Sequence, residues 1–501
     1  MTLLLLLLAC NDGVSTSGGE KPGELLDTGE PPVAEDRDGD GAPDEVDCDA
    51  DDPTVYPGAP LVCGDDRLND CDSDLAAEAS ACAPVAETPI TQSEALVLTV
   101  SESGIGGTVL NLGDLMGDGE PDLGFPTTDW AVEDGDADGG LLVVEQGSTG
   151  ASLRLRGVYS AAGALFAGPL GDANGDGFGD LYIAGDCGES AYLVAGPLEA
   201  DLNLMEEADA AVPVSGSVCR VAAGALDSDG TPGLFILRDD VLVIVSDPLG
   251  AATSVEQTVS GYYDLGDGYT PFTPDGSGLT ALGDTDGDGF PEVSIGLIDA
   301  RGVDRVQAIG EHDAVSGFEY PIALLSESGA AQFGAAVAGG EDLDGDGYDD
   351  VAVGSPEPLS EAAVGGGGRV YLFRGPLSFP LDASAAAATL IGEGALGLAG
   401  SAVDLGGDLD GDSLPDLIVG APAEVVGEGA LGRAYVLSGR QSGSVLMAEG
   451  AVGSLIGEGA LGLAPQVGAS VGLLPARSGL SARLLIGAAG AGQAFLLDPN
   501  P

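Results

Sequence analysis

Between residues 122 and 486 the chain passes seven times from a polar, mostly acidic loop into a short apolar strand, and this repetition constrains the fold more than any other feature. The junctions read Asp122-Leu-Gly-Phe, Asp180-Leu-Tyr-Ile, Gly233-Leu-Phe-Ile, Glu292-Val-Ser-Ile, Asp350-Val-Ala-Val, Asp416-Leu-Ile-Val and Arg483-Leu-Leu-Ile. Successive junctions lie 58, 53, 59, 58, 66 and 67 residues apart, so the repeating unit is near sixty residues. A near-identical stretch, LIGEGALGLA, at 390–399 and again at 455–464 aligns the sixth unit with the seventh. Each unit holds about four short strands, in the fifth roughly 334–339, 350–354, 369–374 and 387–391. Four short strands repeated seven times predict an all-β chain, a seven-bladed β-propeller of four-stranded blades over residues 86–501. No unit carries sustained 3.6-residue apolar periodicity, which excludes an α-solenoid, and a β-helix needs much shorter coils. The last strand pattern, QAFLLD at 493–498, matches the third strand of a unit, and EALVLTV at 94–100 is an orphan strand before the first. The N-terminal strand is therefore expected to complete the seventh blade and remove its open edge.

The loops carry the chemistry. The fifth contains Asp342, Asp344, Asp346 and Asp350 at positions 1, 3, 5 and 9, with Gly347 at position 6 and Tyr348 at position 7. Alternate oxygen-bearing side chains converge on one point, glycine permits the sharp turn, and the carbonyl of position 7 adds an oxygen, which is the logic of a calcium loop. The second unit repeats it with Asp172, Asn174, Asp176, Phe178 and Asp180, and the fourth with Asp284, Asp286, Asp288, Phe290 and Glu292. The sixth has Asp408, Asp410, Asp412, Leu414 and Asp416, with Ser413 at position 6. Four copies in register, each directly before a strand, are a specific signal where one would be a common acidic turn. Solvated acidic turns are the plainer alternative, but convergent carboxylates repel by about 1 kcal/mol per pair at 4 Å even in water, and a hard dication removes that repulsion. Oxygen-only ligands favour Ca²⁺ over zinc or copper. The first unit keeps Asp114, Asp118 and Asp122 but has Met116 at position 3, a poorer set. The third has Ala225 and Gly233 at positions 1 and 9, and the seventh has Arg477 and Arg483, which would repel a cation.

Phe333-Gly334 and Gly420-Ala421-Pro422, flanking these loops, resemble the FG-GAP repeats of integrin α-subunits. That resemblance spans about residues 86–501. It implies a seven-bladed propeller with calcium on one face and contacts to a protein or matrix ligand on the opposite face, without naming the ligand.

Ahead of the repeats, residues 36–82 form a short acidic module with Cys48, Cys63, Cys71 and Cys82. Asp36, Asp38, Asp40, Ala42, Asp44 and Asp47 fit a twelve-position calcium loop, ending in Asp where a bidentate Glu is usual. With the following DCDADDPTVYPGAP the segment resembles the MopE-type metal-binding motif of bacterial surface proteins and thrombospondin type 3 calcium repeats; a disulfide-stapled acidic spacer is the alternative. About four Ca²⁺ are thus expected in the propeller and one in the module. Cysteine separations of 15, 8 and 11 residues lack paired zinc spacing, so disulfides among these four are expected. A bridge between Cys187, after the second strand of the second unit, and Cys219, between the second and third units, is also expected, provided their Cα atoms approach within about 7 Å.

Residues 1–9 read as a secretory signal. Leu7-Leu8-Ala9-Cys10 resembles a bacterial lipoprotein signal, which would make Cys10 the lipidated first residue of the mature protein, followed by a flexible tether over 10–35; an ordinary cleaved signal is the alternative. The expectation is an exported envelope lipoprotein at the outer membrane or cell surface, monomeric and touching membrane only through its lipid.

Composition narrows the function. With 83 acidic against 15 basic residues and a net charge of −68, the chain repels nucleic-acid phosphates. A single histidine, His312, nearly removes imidazole-based chemistry, and no G-x-S-x-G elbow occurs. The reading is an adhesion-like binding protein and not an enzyme. Alternatives are an envelope spacer or a propeller of the kind that accompanies phospholipase-like hydrolases. The loop 129–138, with Trp130, the only tryptophan, is read as a solvated acidic loop, with a partner or cation site as the sharper alternative.

Overall fold

The computed structural model describes residues 88–89 and 95–98 and, with short gaps, residues 109–497. The expected signal, tether and module, with Cys10, the ligand set from Asp36 to Asp47 and Cys48, Cys63, Cys71 and Cys82, lie outside the described residues, as does Cys187.

The described residues are all-β. Helical turns among them include Leu204–Glu207, Ala383–Ala385 and Met447–Gly450, each of three or four residues. In the fifth unit Val337–Glu341, Asp350–Ser355, Arg369–Phe373 and Ala388–Ile391 pair antiparallel in that order. The first strand begins three residues later than expected because Gln332 (φ 65) and Gly334 (φ 89) turn the chain sharply. That turn sets the fully buried Phe333 ring 5.5 Å from Tyr371. The other units follow the same meander, for example Leu165–Gly171, Asp180–Gly185, Ser190–Val194 and Ala210–Pro213 in the second. The sixth unit's Ala402–Leu405, Asp416–Val426, Ala430–Ser438 and Ala451–Ile456 join the seventh's Val467–Leu474 through the parallel pair Gly432 and Val467. Cys219 lies inside the strand Val218–Ala225, so the expectation that it sits in a connection between units is corrected.

A pairing that the repeat pattern did not announce links successive units. After the third strand of a unit the chain adds a short parallel strand to the outer strand of the unit before. Leu202–Asn203 does so on Ser152–Tyr159, Leu381–Asp382 on Ile322–Leu325, and Gly443–Leu446 on Ala388–Ile391. At the N-terminal side, Thr88–Pro89 pairs parallel with Ala451–Ile456, and Ala95–Leu98 then pairs antiparallel with Gln493–Leu497. This segment supplies the seventh unit with the two elements that follow the third strand elsewhere.

The apolar cores lie between consecutive units. Leu343, Leu372 and Leu390 of the fifth pack with Leu417, Val419 and Tyr435 of the sixth, and Ile418 and Val436 pack with Leu484 and Ile486 of the seventh. Val109, Leu123 and Phe125 of the first unit share a core with Leu474, Leu485 and Leu496 of the seventh, and the Val109 amide donates to Ser470 Oγ at 3.1 Å. Second strands, covered on both faces, are buried along their length, as in Asp180–Gly185 and Asp350–Ser355. Those of the first, second, fourth, fifth and sixth units begin on the carboxylate at position 9 of a loop, so burial of the strand forces burial of that charge.

Candidate metal centres

Each loop is built around two carboxylates that act as local templates. The one at position 1 gathers the turn: Asp342 accepts the amides of Gly345 and Asp346 on Oδ1 (2.6 and 3.1 Å) and of Gly347 on Oδ2 (2.8 Å). Asp172 holds Asp176 and Gly177, Asp284 holds Gly287 and Gly289, and Asp408 holds Ser413. Position 6 needs positive φ for this, which Gly347 meets at 93° and Ser413 meets at 72° against its steric preference.

The carboxylate at position 9 reaches back to the start of the loop. Asp350 Oδ2 accepts the Leu343 amide at 2.8 Å, Asp416 Oδ2 those of Leu409 and Asp410 at 2.6 and 3.0 Å, and Glu292 Oε2 both the amide and the hydroxyl of Thr285. In the second and fifth units the other oxygen is also held, Asp180 Oδ1 by the Gly196 amide and Asp350 Oδ1 by that of Gly375. In the fourth and sixth it is not: Glu292 Oε1 and Asp416 Oδ1 are buried with no hydrogen-bond partner, on residues with 0% exposure. Native proteins rarely leave a buried polar atom in that state.

Positions 1, 3 and 9 converge. Asp284, Asp286 and Glu292, then Asp342, Asp344 and Asp350, then Asp408, Asp410 and Asp416, each offer oxygens lying within 4.8 Å of one another. These acidic clusters could hold a metal ion. Position 5 is not part of any of the three: Asp288, Asp346 and Asp412 each turn Oδ1 to the amide of position 7, Phe290, Tyr348 and Leu414, at 2.8–2.9 Å. The second unit repeats that geometry, with Asp176 on Phe178 at 3.0 Å, while Asn174 Nδ2 donates to Asp176 Oδ2. The first unit keeps the templates, Asp114 accepting Asp118 and Gly119 and Asp122 accepting Met116, and Asp122 Oδ1 is likewise buried without a partner.

Two arginines that the spacing did not flag lie beside the loops, Arg374 against a cluster residue and Arg440 against position 5. Arg374 Nε lies 3.4 Å from Asp344 Oδ2, and Arg440 Nε lies 3.4 Å from Asp412 Oδ2. Arg374 also donates to the carbonyls of Gly439 and Gln441 in the next unit. Burial, against these hydrogen bonds, pushes the position 9 carboxyls up: Asp122 to about 6, Glu292 and Asp350 to about 7 and Asp416 to about 8, the last raised further by Asp410 and Asp412. A charge so expensive to bury is the charge a bound cation would stabilise. The buried unpartnered oxygens and the all-oxygen donor set both fit a hard dication.

The third-unit Asp227 and Asp229 and the seventh-unit Arg477 lie outside the described residues. Trp130 ends the strand Asp122–Trp130, and residues 131–138 of the expected acidic loop are outside the described set.

Comparison with known proteins adds three findings. No curated protein sequence matches the chain. A crystal structure of BBS1N in complex with ARL6DN, soaked with lead, aligns with a TM-score of 0.43 at 13% identity over 81% of this chain and 98% of that one. Residues 333–373 and 399–437, which hold the first three strands of the fifth and sixth units and their acidic loops, match the FG-GAP repeat, and the chain therefore carries FG-GAP repeats.

Proposed function

We propose that residues 86–501 close into a seven-bladed β-propeller whose acidic loops bind calcium along one face and whose opposite face binds a protein or matrix ligand. The observation that carries the reading is the convergence of positions 1, 3 and 9 within 4.8 Å in three successive described loops of the pattern. Closure is supported by the shared core of the first and seventh units and by the pairing of Ala95–Leu98 with Gln493–Leu497. Calcium, when bound, would neutralise the converging carboxylates and tie the two ends of each loop together. Asp172, Asn174 and Asp180, with the three triads, would hold it, and the template bonds at positions 1 and 9 keep these groups in place.

The partner face is argued from the strand Asp416–Val426, which runs from a metal loop to the other end of its sheet. There it forms an extended hairpin with Ala430–Ser438, braced by buried polar contacts. Tyr435 donates its hydroxyl to Glu424, and Arg433 pairs with Glu393 at 2.9 Å and Glu424 at 3.6 Å. Val425 at the outer end is 69% exposed. A hairpin braced by buried polar contacts, with Val425 exposed towards its outer end, suits adhesion-like binding better than catalysis. The lipid anchor on Cys10 and envelope location belong to the same proposal and rest on the N-terminal pattern alone.

The test has two arms. Calcium titration by calorimetry on the full chain should give four sites in the propeller and one in the N-terminal module; no saturable binding would overturn the metal reading. Intact cells should yield partners to the calcium-loaded chain that EDTA releases, and capture absent or indifferent to EDTA would overturn the adhesion reading.

A further inference from the structure

The described loops do not stand alone; those of the fourth and fifth units, of the first and second, and of the fifth and sixth are built partly from one another. The backbone carbonyl of Asp284, position 1 of the fourth unit, accepts the amide of Asp349, position 8 of the fifth, at 3.3 Å. In return the Asp284 amide donates to Asp349 Oδ2 at 2.8 Å. The Thr285 carbonyl accepts the Leu377 amide at 2.7 Å. The Tyr348 ring, at position 7, lies so close over Gly287 that a Cβ there would come within 2.4 Å of its Cε1. The first and second units repeat the arrangement, with Gly179 donating to the Asp114 carbonyl (3.1 Å), Leu198 to that of Leu115 (2.8 Å), and Phe178 over Gly117. Leu414 over Gly345 continues it between the fifth and sixth.

On the reading that the loops hold cations, we infer that neighbouring sites fill cooperatively, the fourth and fifth through Tyr348 and Asp349. Positions 7 and 9 of the fifth loop flank Asp349 directly. Ordering the fourth loop therefore holds the segment from which the fifth draws its position 7 carbonyl and position 9 carboxylate, and the ordering cost is met once for both sites. The coupling is reciprocal. Electrostatics acts the other way, since filling one loop lessens the negative field that draws a cation to the next, but this term is screened by salt. The backbone bonds and the ring contact are not.

Tyr348 is also a reporter: the fifth loop alone among those of the pattern has Tyr at position 7, and since its ring lies over Gly287 it sensitises a cation in the fourth loop as well, so that emptying the fourth leaves the fifth as its signal. Terbium serves as the probe, with Tyr348→Phe as the blank for its sensitised emission. In 1 M KCl, where the screening length is about 3 Å, Asp286→Ala in the fourth loop should raise the terbium midpoint of the fifth by about 5-fold or more, within the usual range of coupling free energies. Asp286→Asn is the second variant should the first fail to fold. A midpoint within about twofold of the parent, with calorimetry showing that one site has been lost, would overturn the coupling and leave the cation reading intact. A parent chain that binds neither terbium nor calcium would overturn both.

Discussion

Asp416 shows at the scale of one residue what the loops demand of the chain. Its carboxyl is buried, one oxygen has no hydrogen-bond partner, and its pKa is pushed up to about 8 by burial first and by Asp410 next. The folded value lies above the unfolded one, so between them the folded protein keeps a proton that the unfolded chain has released. The contribution is fully present below about pH 4 and lost as pH rises towards 8. Without cation, stability should therefore fall across that window, and Asp416→Asn should flatten the fall in melting temperature between pH 6 and 8. An identical slope in the variant would contradict the assignment. Ser413, at φ 72, is the residue of this loop held in the left-handed region without being glycine. Ser413→Gly should raise stability by about 0.5–1 kcal/mol, the relief of left-handed strain less the added freedom of the unfolded chain, measured by urea denaturation in calcium. Spacing in the sequence pointed to the acidic residues at positions 1, 3 and 9 that the fold brings together, because alternation of acidic residues is visible in any register. It did not separate position 5, whose carboxylate turns to the position 7 amide, from positions 1, 3 and 9, because that division depends on backbone geometry.

Among the elements, the hairpin of the sixth unit is held by its interior polar contacts as much as by its ladder. Tyr435 lies fully buried with its hydroxyl donated to Glu424, whose carboxyl is raised by burial and lowered again by that hydroxyl and by Arg433. Tyr435→Phe removes the donor and leaves the carboxylate in place. It should cost about 1–3 kcal/mol, read as a shift in denaturation midpoint, and Glu424→Gln combined with it should recover part of the loss. A neutral single variant would mean that the brace carries no weight. The strands themselves were legible, since four apolar runs per unit are long enough to show period and bounding turns. The parallel links between units were not. Leu202–Asn203 and Leu381–Asp382 are two residues each, too short for any alternation to register, and their pairing is decided by where the preceding sheet presents its edge. The orphan strand near the N-terminal side could be read only because its partner at the far end lacked a fourth strand. Proline placed in turn at Leu96 and Val97, in the middle of that pairing, should lower the melting temperature at the position whose amide faces Gln493–Leu497, since proline cannot donate to the ladder and an acceptor left unmet costs about 1–3 kcal/mol.

For the whole molecule the governing quantity is charge. Five dications would bring −68 only to −58, so on the proposed reading the cations would not neutralise the protein, and those in the repeats would act locally, at carboxylates the strands have buried. This separates two effects that both stabilise an acidic chain. Added salt screens repulsion everywhere, whereas calcium, on the proposed reading, would act only where oxygens converge, and only on the folded state. Each site held at about 100 times its dissociation constant adds about 2.7 kcal/mol of stability. At fixed ionic strength EDTA should therefore lower the melting temperature and calcium should restore it. Magnesium should do so less well, since it demands tighter octahedral geometry and gives up water reluctantly. Sodium chloride at matched ionic strength should leave most of the loss in place. If salt alone recovered the melt, the acidic turns would be solvated loops whose only need is screening, and the convergence of positions 1, 3 and 9 would have no bearing on stability.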